Sequence, residues 1–202
     1  MLHERERSMR ASANKRSGEE LWQAARVIAA GVLLLVASLK GYRVYILRGQ
    51  TMHLTNTSFK DGSQIPAKYT CSGANISPQL AWSAPPARTA SLALIVTDPD
   101  APRGTWVHWV LYDLPAETRA LPEGLPALGQ LPDGALQGRN DFGEIGYGGP
   151  CPPPGAPHHY IFTLYALDAK LNLPVGEKRA QVEAAMQGHI LANGKLIGIF
   201  QR

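Results

Sequence analysis

All sixteen prolines of this 202-residue chain lie after residue 51. Proline locks φ and lacks an amide hydrogen, so it belongs in turns, at strand ends and at sheet edges rather than inside a ladder. From Met52 onward the apolar runs are short, and the prolines sit between them. Ser91–Val96 is a continuous apolar run ended by Asp98-Pro99, the pattern of a central strand. Trp106–Tyr112, Tyr160–Leu167 and Leu196–Phe200 are rich in aromatic and β-branched residues and read as further strands. One helix is expected, Glu177–Met186, with Val182, Ala185 and Met186 on one face and Gly188 near its end. The fold class is therefore mainly β, a sandwich. The connection from Pro115 to Gly143 is too long and too rich in Pro and Gly to be an inert loop in a compact domain. There are no internal repeats.

Composition narrows the class. Two cysteines exclude a disulfide-dense miniprotein, and 45% hydrophobic against 18% charged residues excludes a disordered chain. The net charge of +4 invites a nucleic-acid partner at first sight, but it is unevenly placed. Residues 1–51 carry nine Lys and Arg and four Glu, for +5, whereas residues 52–202 carry eleven against twelve acidic residues, for −1. The basic surplus belongs to the N-terminal segment, and nucleic acid is not an expected partner.

That segment, 1–51, contains Val27–Leu39, thirteen residues without a charge. Extended back to Trp22 it gives an apolar helix over about 22–39, at the lower limit for crossing a bilayer. Lys40, Tyr42, Arg43 and Tyr45 flank it in the manner of an interfacial belt. The expectation is a single-pass N-terminal membrane anchor with residues 52–202 as an extracytoplasmic body. A cleaved signal peptide ending near Val36-Ala37-Ser38 and translation from Met52, giving a cytoplasmic protein, are the alternatives.

Three loop clusters in the body could carry chemistry. In Asp98-Pro99-Asp100-Ala101-Pro102 two prolines stiffen a turn with two carboxylates, and a cis X-Pro bond is expected there. Read conservatively, it is a turn in which Asp bonds its own backbone. In Trp106-Val107-His108-Trp109 alternation places Trp106 and His108 on one face and Val107 and Trp109 on the other. A strand histidine is most often simply a hydrogen-bonded structural residue. Gly146–Gly155 combines four glycines with four prolines and leads into His158-His159-Tyr160. Its glycine amides, at Gly148, Gly149 and around Pro150, form a nest suited to an anion.

In their order D-P-D-A-P, W-x-H-W and G-x-G-G-P-x-P-x₂-G-x₂-H-x-Y, these clusters resemble the phosphatidylethanolamine-binding protein family, in its bacterial Raf-kinase-inhibitor-like branch. Tyr69–Gly73, Ser77–Trp82, Gly138–Gly143 and Tyr165–Asp168 support the resemblance, which runs from about Ser58 to Arg202. It implies an antiparallel two-sheet β-sandwich with a few peripheral helices and a surface pocket for phosphate-type anions, as in phosphoethanolamine headgroups. Its wall would comprise Asp98, Asp100, Trp106, His108, Gly148, Gly149, Pro150, His158 and Tyr160. Amides around Gly148 and Gly149 and one or both imidazoles would donate to phosphate oxygens, Asp98 would orient a histidine or meet a ligand ammonium, and Trp106 and Tyr160 would supply apolar walls.

Two departures stand out. The family usually has H-R-Y where this chain has His158-His159-Tyr160, so the ion pair from that arginine to an acidic loop is not expected. The chain also stops two residues after Phe200, so the C-terminal helix of animal members is not expected.

The leading expectation is a non-enzymatic binder of a small phosphate-type ligand, with no cofactor and no metal. An inhibitor of a kinase or protease, acting on an unidentified protein target through the Pro115–Gly143 connection, is the second reading. The third is an enzyme using His108, His158 and Asp98 as a metal site or acid–base partners. Cys71 and Cys151 lie near two motif loops and are a candidate disulfide or thiol pair.

Overall fold

The four long strands pair because their side chains fit two different interiors. A computed structural model describes residues 50–202, and the strands among them are β1 (Gln50–Thr51), β2 (Leu54–Thr55), β3 (Ser63–Gln64), β4 (Leu80–Trp82), β5 (Ser91–Asp98), β6 (Trp106–Pro115), β7 (Ala120–Leu121), β8 (Leu136–Gln137), β9 (His158–Leu167) and β10 (Ile190–Phe200). A single α-helix among the described residues, α1 (Arg179–Met186), precedes β10. The larger sheet has the order β1-β10-β9-β5-β6-β8, with β3 also paired to β10; β2-β4-β7 form a second, smaller sheet. The long strands run antiparallel, while the two-residue β1 and β3 run parallel to β10.

Strand β5 explains why Ser91–Val96 shows no polar alternation. Leu92, Leu94 and Val96 face the core between the sheets, with Leu54, Leu80, Trp82 and Leu121 of the smaller sheet. Ala93 and Ile95 face the other side, where Val182 and Met186 of α1 pack. A strand covered on both faces must be apolar throughout, and each fully buried Leu or Val contributes about 1.5–3 kcal/mol.

Two β-bulges interrupt β6. Val96 pairs with Trp109 and Thr97 with Val107, so the register skips His108; Leu94 pairs with Leu111 and Leu92 with Leu114, a second skip that includes Asp113 at φ 55°. A bulge reverses the alternation beyond it. Val107 consequently packs on the helix side while Trp109 enters the inter-sheet core, and the expectation that they share a face is corrected.

Other expectations are corrected too. β10 begins at Ile190 rather than Leu196. Its glycines hid it, yet they serve contact: a side chain at Gly198 would collide with Ile65 and Phe59. The helix starts at Arg179, two residues later than expected. Residues 50–51 pair with β10, so the body begins before Met52. No described peptide bond is cis. The Pro115–Gly143 connection is no free protrusion; it supplies β7 and β8 and buries Leu121, Leu131, Ala135, Gln137 and Asn140. Gln137 holds it inward, its Oε1 accepting from Trp109 Nε1 at 2.8 Å and its Nε2 donating to the carbonyls of Pro126 and Leu128.

The expected membrane anchor is also corrected. Among the described residues no helix is long and apolar enough to cross a membrane. The hydrophobic helix over about 22–39 falls outside the described residues, so neither it nor the placement drawn from it is retained.

Candidate functional site

Adjacent strands β6, β5 and β9 bring Trp106, Asp98 and His158 to the same end of the larger sheet. The turn after β5 is fixed by Asp98 itself, whose Oδ1 accepts the Asp100 amide at 2.8 Å. This is the self-bonded Asp turn of the conservative reading, and it leaves Oδ2 to accept from His158 Nδ1 at 2.7 Å. The bulge in β6 supplies the second imidazole, and His108 Nδ1 donates to the Gly148 carbonyl at 2.6 Å.

These groups line an open cavity of about 180 Å³, with Trp106, Phe142, Pro102, Pro152 and Pro153 as its apolar walls. Asp98, His108 and His158 are 3%, 2% and 8% exposed, so charge on any of them is carried in a poorly hydrated place. Burial lowers the His108 imidazolium from the ordinary histidine value, against the opposing pull of the Gly148 carbonyl and the Asp98 carboxylate. Both Nδ1 atoms face partners that only accept. Each ring therefore keeps its proton on Nδ1 when neutral, and among the described residues no group hydrogen-bonds either Nε2. A second proton on either ring turns Nε2 into a charged donor. Among the described residues no Lys or Arg lines the cavity.

Of the nine expected wall residues, the cavity gathers Asp98, Trp106, His108 and His158. Gly148 and Gly149 instead line an adjoining hollow of about 250 Å³ with Asn75 and Glu144, across Phe142 and Cys151. Their amides are committed inside the protein: Gly148 N–H donates to the His108 carbonyl and Gly149 N–H to Asn75 Oδ1, both at 2.8 Å. The expected amide nest is corrected on this point. The two positions need glycine for close packing, because a side chain would strike the Phe142 ring at Gly148 and the Tyr69 and Thr70 backbone at Gly149. Pro150 is buried and its carbonyl accepts the Cys71 amide. Tyr160 is fully buried behind His108, with ring centroids 5.1 Å apart, and does not form a wall. Its hydroxyl has no hydrogen-bond partner, and burial, reinforced by the Asp98 charge, pushes the phenol far above its usual value.

Asp100 points away from the cavity. Its Oδ2 accepts from both the amide and Nδ1 of His159, at 2.8 and 2.7 Å. The acidic-loop contact that loss of an arginine was expected to remove is thus kept by an imidazole, and these hydrogen bonds hold the Asp100 carboxyl below the usual range. Phe142, Cys151, Pro152 and Pro153 were not foreseen as walls, although Phe142 sits in the quoted Gly138–Gly143 stretch and the others directly follow Pro150. Cys71 and Cys151 form a disulfide with Cα atoms 5.4 Å apart, tying the Cys151–Pro153 wall to the Tyr69–Ser72 turn. Among the described residues no cluster of three or more His, Cys, Asp or Glu could hold a metal ion.

The sequence model of the phosphatidylethanolamine-binding protein family matches residues 55–201, nearly the whole described body. The chain belongs to that family. It is 50% identical over 151 residues to a UPF0098 protein of Methanothermobacter thermautotrophicus, covering 75% of this chain and 99% of the relative. A crystal structure of the Chlamydia trachomatis homolog CT736 matches with TM-score 0.69 at 43% identity, covering 75% of this chain and 98% of the other. Escherichia coli YbcL, described as a member of the mammalian family, matches with TM-score 0.68 at 36% identity over 76% and 99% of the two chains. The two solved structures share the fold of the described body.

Proposed function

We propose that the cavity binds a small anion, inorganic phosphate or a phosphomonoester of the phosphoethanolamine type, reversibly and without turnover. One observation carries the reading: His108 and His158 line the same cavity, and both commit Nδ1 to a protein acceptor, so that Nε2 is the ring nitrogen each has left for a ligand. Protonated, the two rings offer charge-assisted hydrogen bonds to an oxyanion, and the scarcity of water around them strengthens those bonds. Asp98 fixes His158 and supplies its countercharge. The size agrees, since drug-sized ligands fill roughly 300–1,000 Å³ and about 180 Å³ suits an ion or a headgroup. The family name points to the same ligand class.

Calorimetric titration with phosphate, phosphoethanolamine and sulfate at pH 6 and pH 8 tests this. Sulfate keeps its charge over that interval, so its response isolates the histidines. Saturable binding that is stronger at pH 6 is expected, and it should be lost in His108→Ala. Absence of saturable binding at both pH values overturns the proposal.

A further inference from the structure

Phe142 lies where two hollows meet. It is 43% exposed, an unusual placement for a large aromatic side chain, and it lines both the histidine cavity and the adjoining one. Its backbone is held from several directions. Asn140 Oδ1 accepts the amides of Phe142 and Glu144, and Asn140 Nδ2 donates to the Gly146 carbonyl. Asp141 brackets Val107, its amide donating to the Val107 carbonyl and its Oδ2 accepting the Val107 amide. The hairpin turn closed by the antiparallel bridge between Arg139 and Ile145 is thereby bolted to the strand immediately before His108.

The ring of Phe142 makes edge contacts with Trp106 and with His108, each at 5.4 Å between centroids. It also lies against Gly148, where a methyl group would stand 2.6 Å from Phe142 Cδ2. Phe142 thus touches both partners of the 2.6 Å hydrogen bond from His108 Nδ1 to the Gly148 carbonyl. A half-exposed aromatic ring held over a buried hydrogen bond keeps water from either end of it.

We propose that Phe142 is a positioning residue for His108, sealing the His108–Gly148 hydrogen bond from water and so governing when that imidazole takes up a second proton. The inference refines the anion-binding reading and rests on it for its biological meaning, but His108 titration can be measured without any ligand. The other groups facing His108 stay in place when the ring is removed: Asp98 from β5, Asp141 from the hairpin, and His158 and Tyr160 from β9. Burial is the largest influence on His108, so thinning its cover should act in one direction, toward easier protonation.

The test follows the His108 ring by NMR as pH is lowered in the wild-type chain, Phe142→Ala and Phe142→Leu, with phosphate titrations of each. Phe142→Ala should move the His108 midpoint to higher pH and carry the midpoint of the phosphate-affinity profile with it. Phe142→Leu, which keeps an apolar cover, should stay close to wild type in both. An unchanged His108 midpoint in Phe142→Ala, with the fold intact by circular dichroism, overturns the inference. Loss of phosphate binding in the wild type as well would overturn the functional proposal, while the NMR midpoints would still decide the role of Phe142.

Discussion

Asp98 Oδ2 accepts from His158 Nδ1 across 2.7 Å, while the other oxygen of the same carboxylate is taken by the Asp100 amide. One side chain thus shapes the turn and orients the imidazole. Asp98→Asn keeps the size but loses the acceptor-only character that fixes His158, because an amide offers N–H groups as well. Phosphate affinity should fall by about tenfold, equivalent to ~1.4 kcal/mol. Calorimetry at pH 6 reads it, and unchanged affinity would show that His158 needs no such partner.

His108 makes stability depend on pH. Its folded value lies below the ordinary 6.5, so the unfolded chain takes up this proton first as pH falls. The contribution is complete above about pH 6.5 and is lost as pH falls through the lower, folded value. Urea unfolding should show stability declining from pH 7 to pH 5, and His108→Gln should flatten that decline. Asp100 acts in the same sense in a more acidic window, below its ordinary 3.8. Added phosphate should offset the loss by binding the protonated folded form.

The Cys71–Cys151 disulfide closes a loop across a sequence separation of 80 residues. Restricting so long a loop in the unfolded chain contributes about 4 kcal/mol in the chain-entropy description. Cys71→Ser with Cys151→Ser should lower stability by roughly 2–4 kcal/mol, read by denaturant unfolding. The Cys151–Pro153 wall should loosen with it, visible as faster amide exchange at position 71 and Gly149. A double variant as stable as the parent would show that the hydrogen bonds of this loop hold it alone.

Gln137→Leu probes the long connection. The substitution strands the Trp109 indole N–H and the Pro126 and Leu128 carbonyls, three groups that Gln137 satisfies. An unpaired buried group costs about 1–3 kcal/mol, and Trp109 is fully buried whereas Pro126 and Leu128 are exposed, so a loss of about 1–3 kcal/mol is expected in thermal or denaturant unfolding.

What the sequence revealed depended on how its residues were used. β5 and β9 were legible because burial on two faces leaves long apolar runs, which turn residues then end. β2, β4 and β7 were not, since strands of two or three residues take their shape from tertiary pairing rather than from a local pattern. Asp98, Trp106, His108 and His158 could be expected around one pocket only through the resemblance of their motifs to the family, since each motif alone reads as a turn or a structural histidine. The roles of Gly148 and Gly149 were not legible, because glycine at a close approach reads the same as glycine in an anion nest. The swap of faces after Val107 was equally hidden, for periodicity shows no inserted residue.

That inserted residue, His108, acts like a shift of reading frame. Every side chain of β6 from Trp109 to Leu111 owes its side of the sheet to it. Deleting one residue between Trp106 and Trp109 would turn Trp109 toward the helix and Val110 toward the opposite sheet, emptying one interior while crowding the other. The length of β6 around His108 is therefore held by packing on both faces of the sheet, whatever the cavity binds.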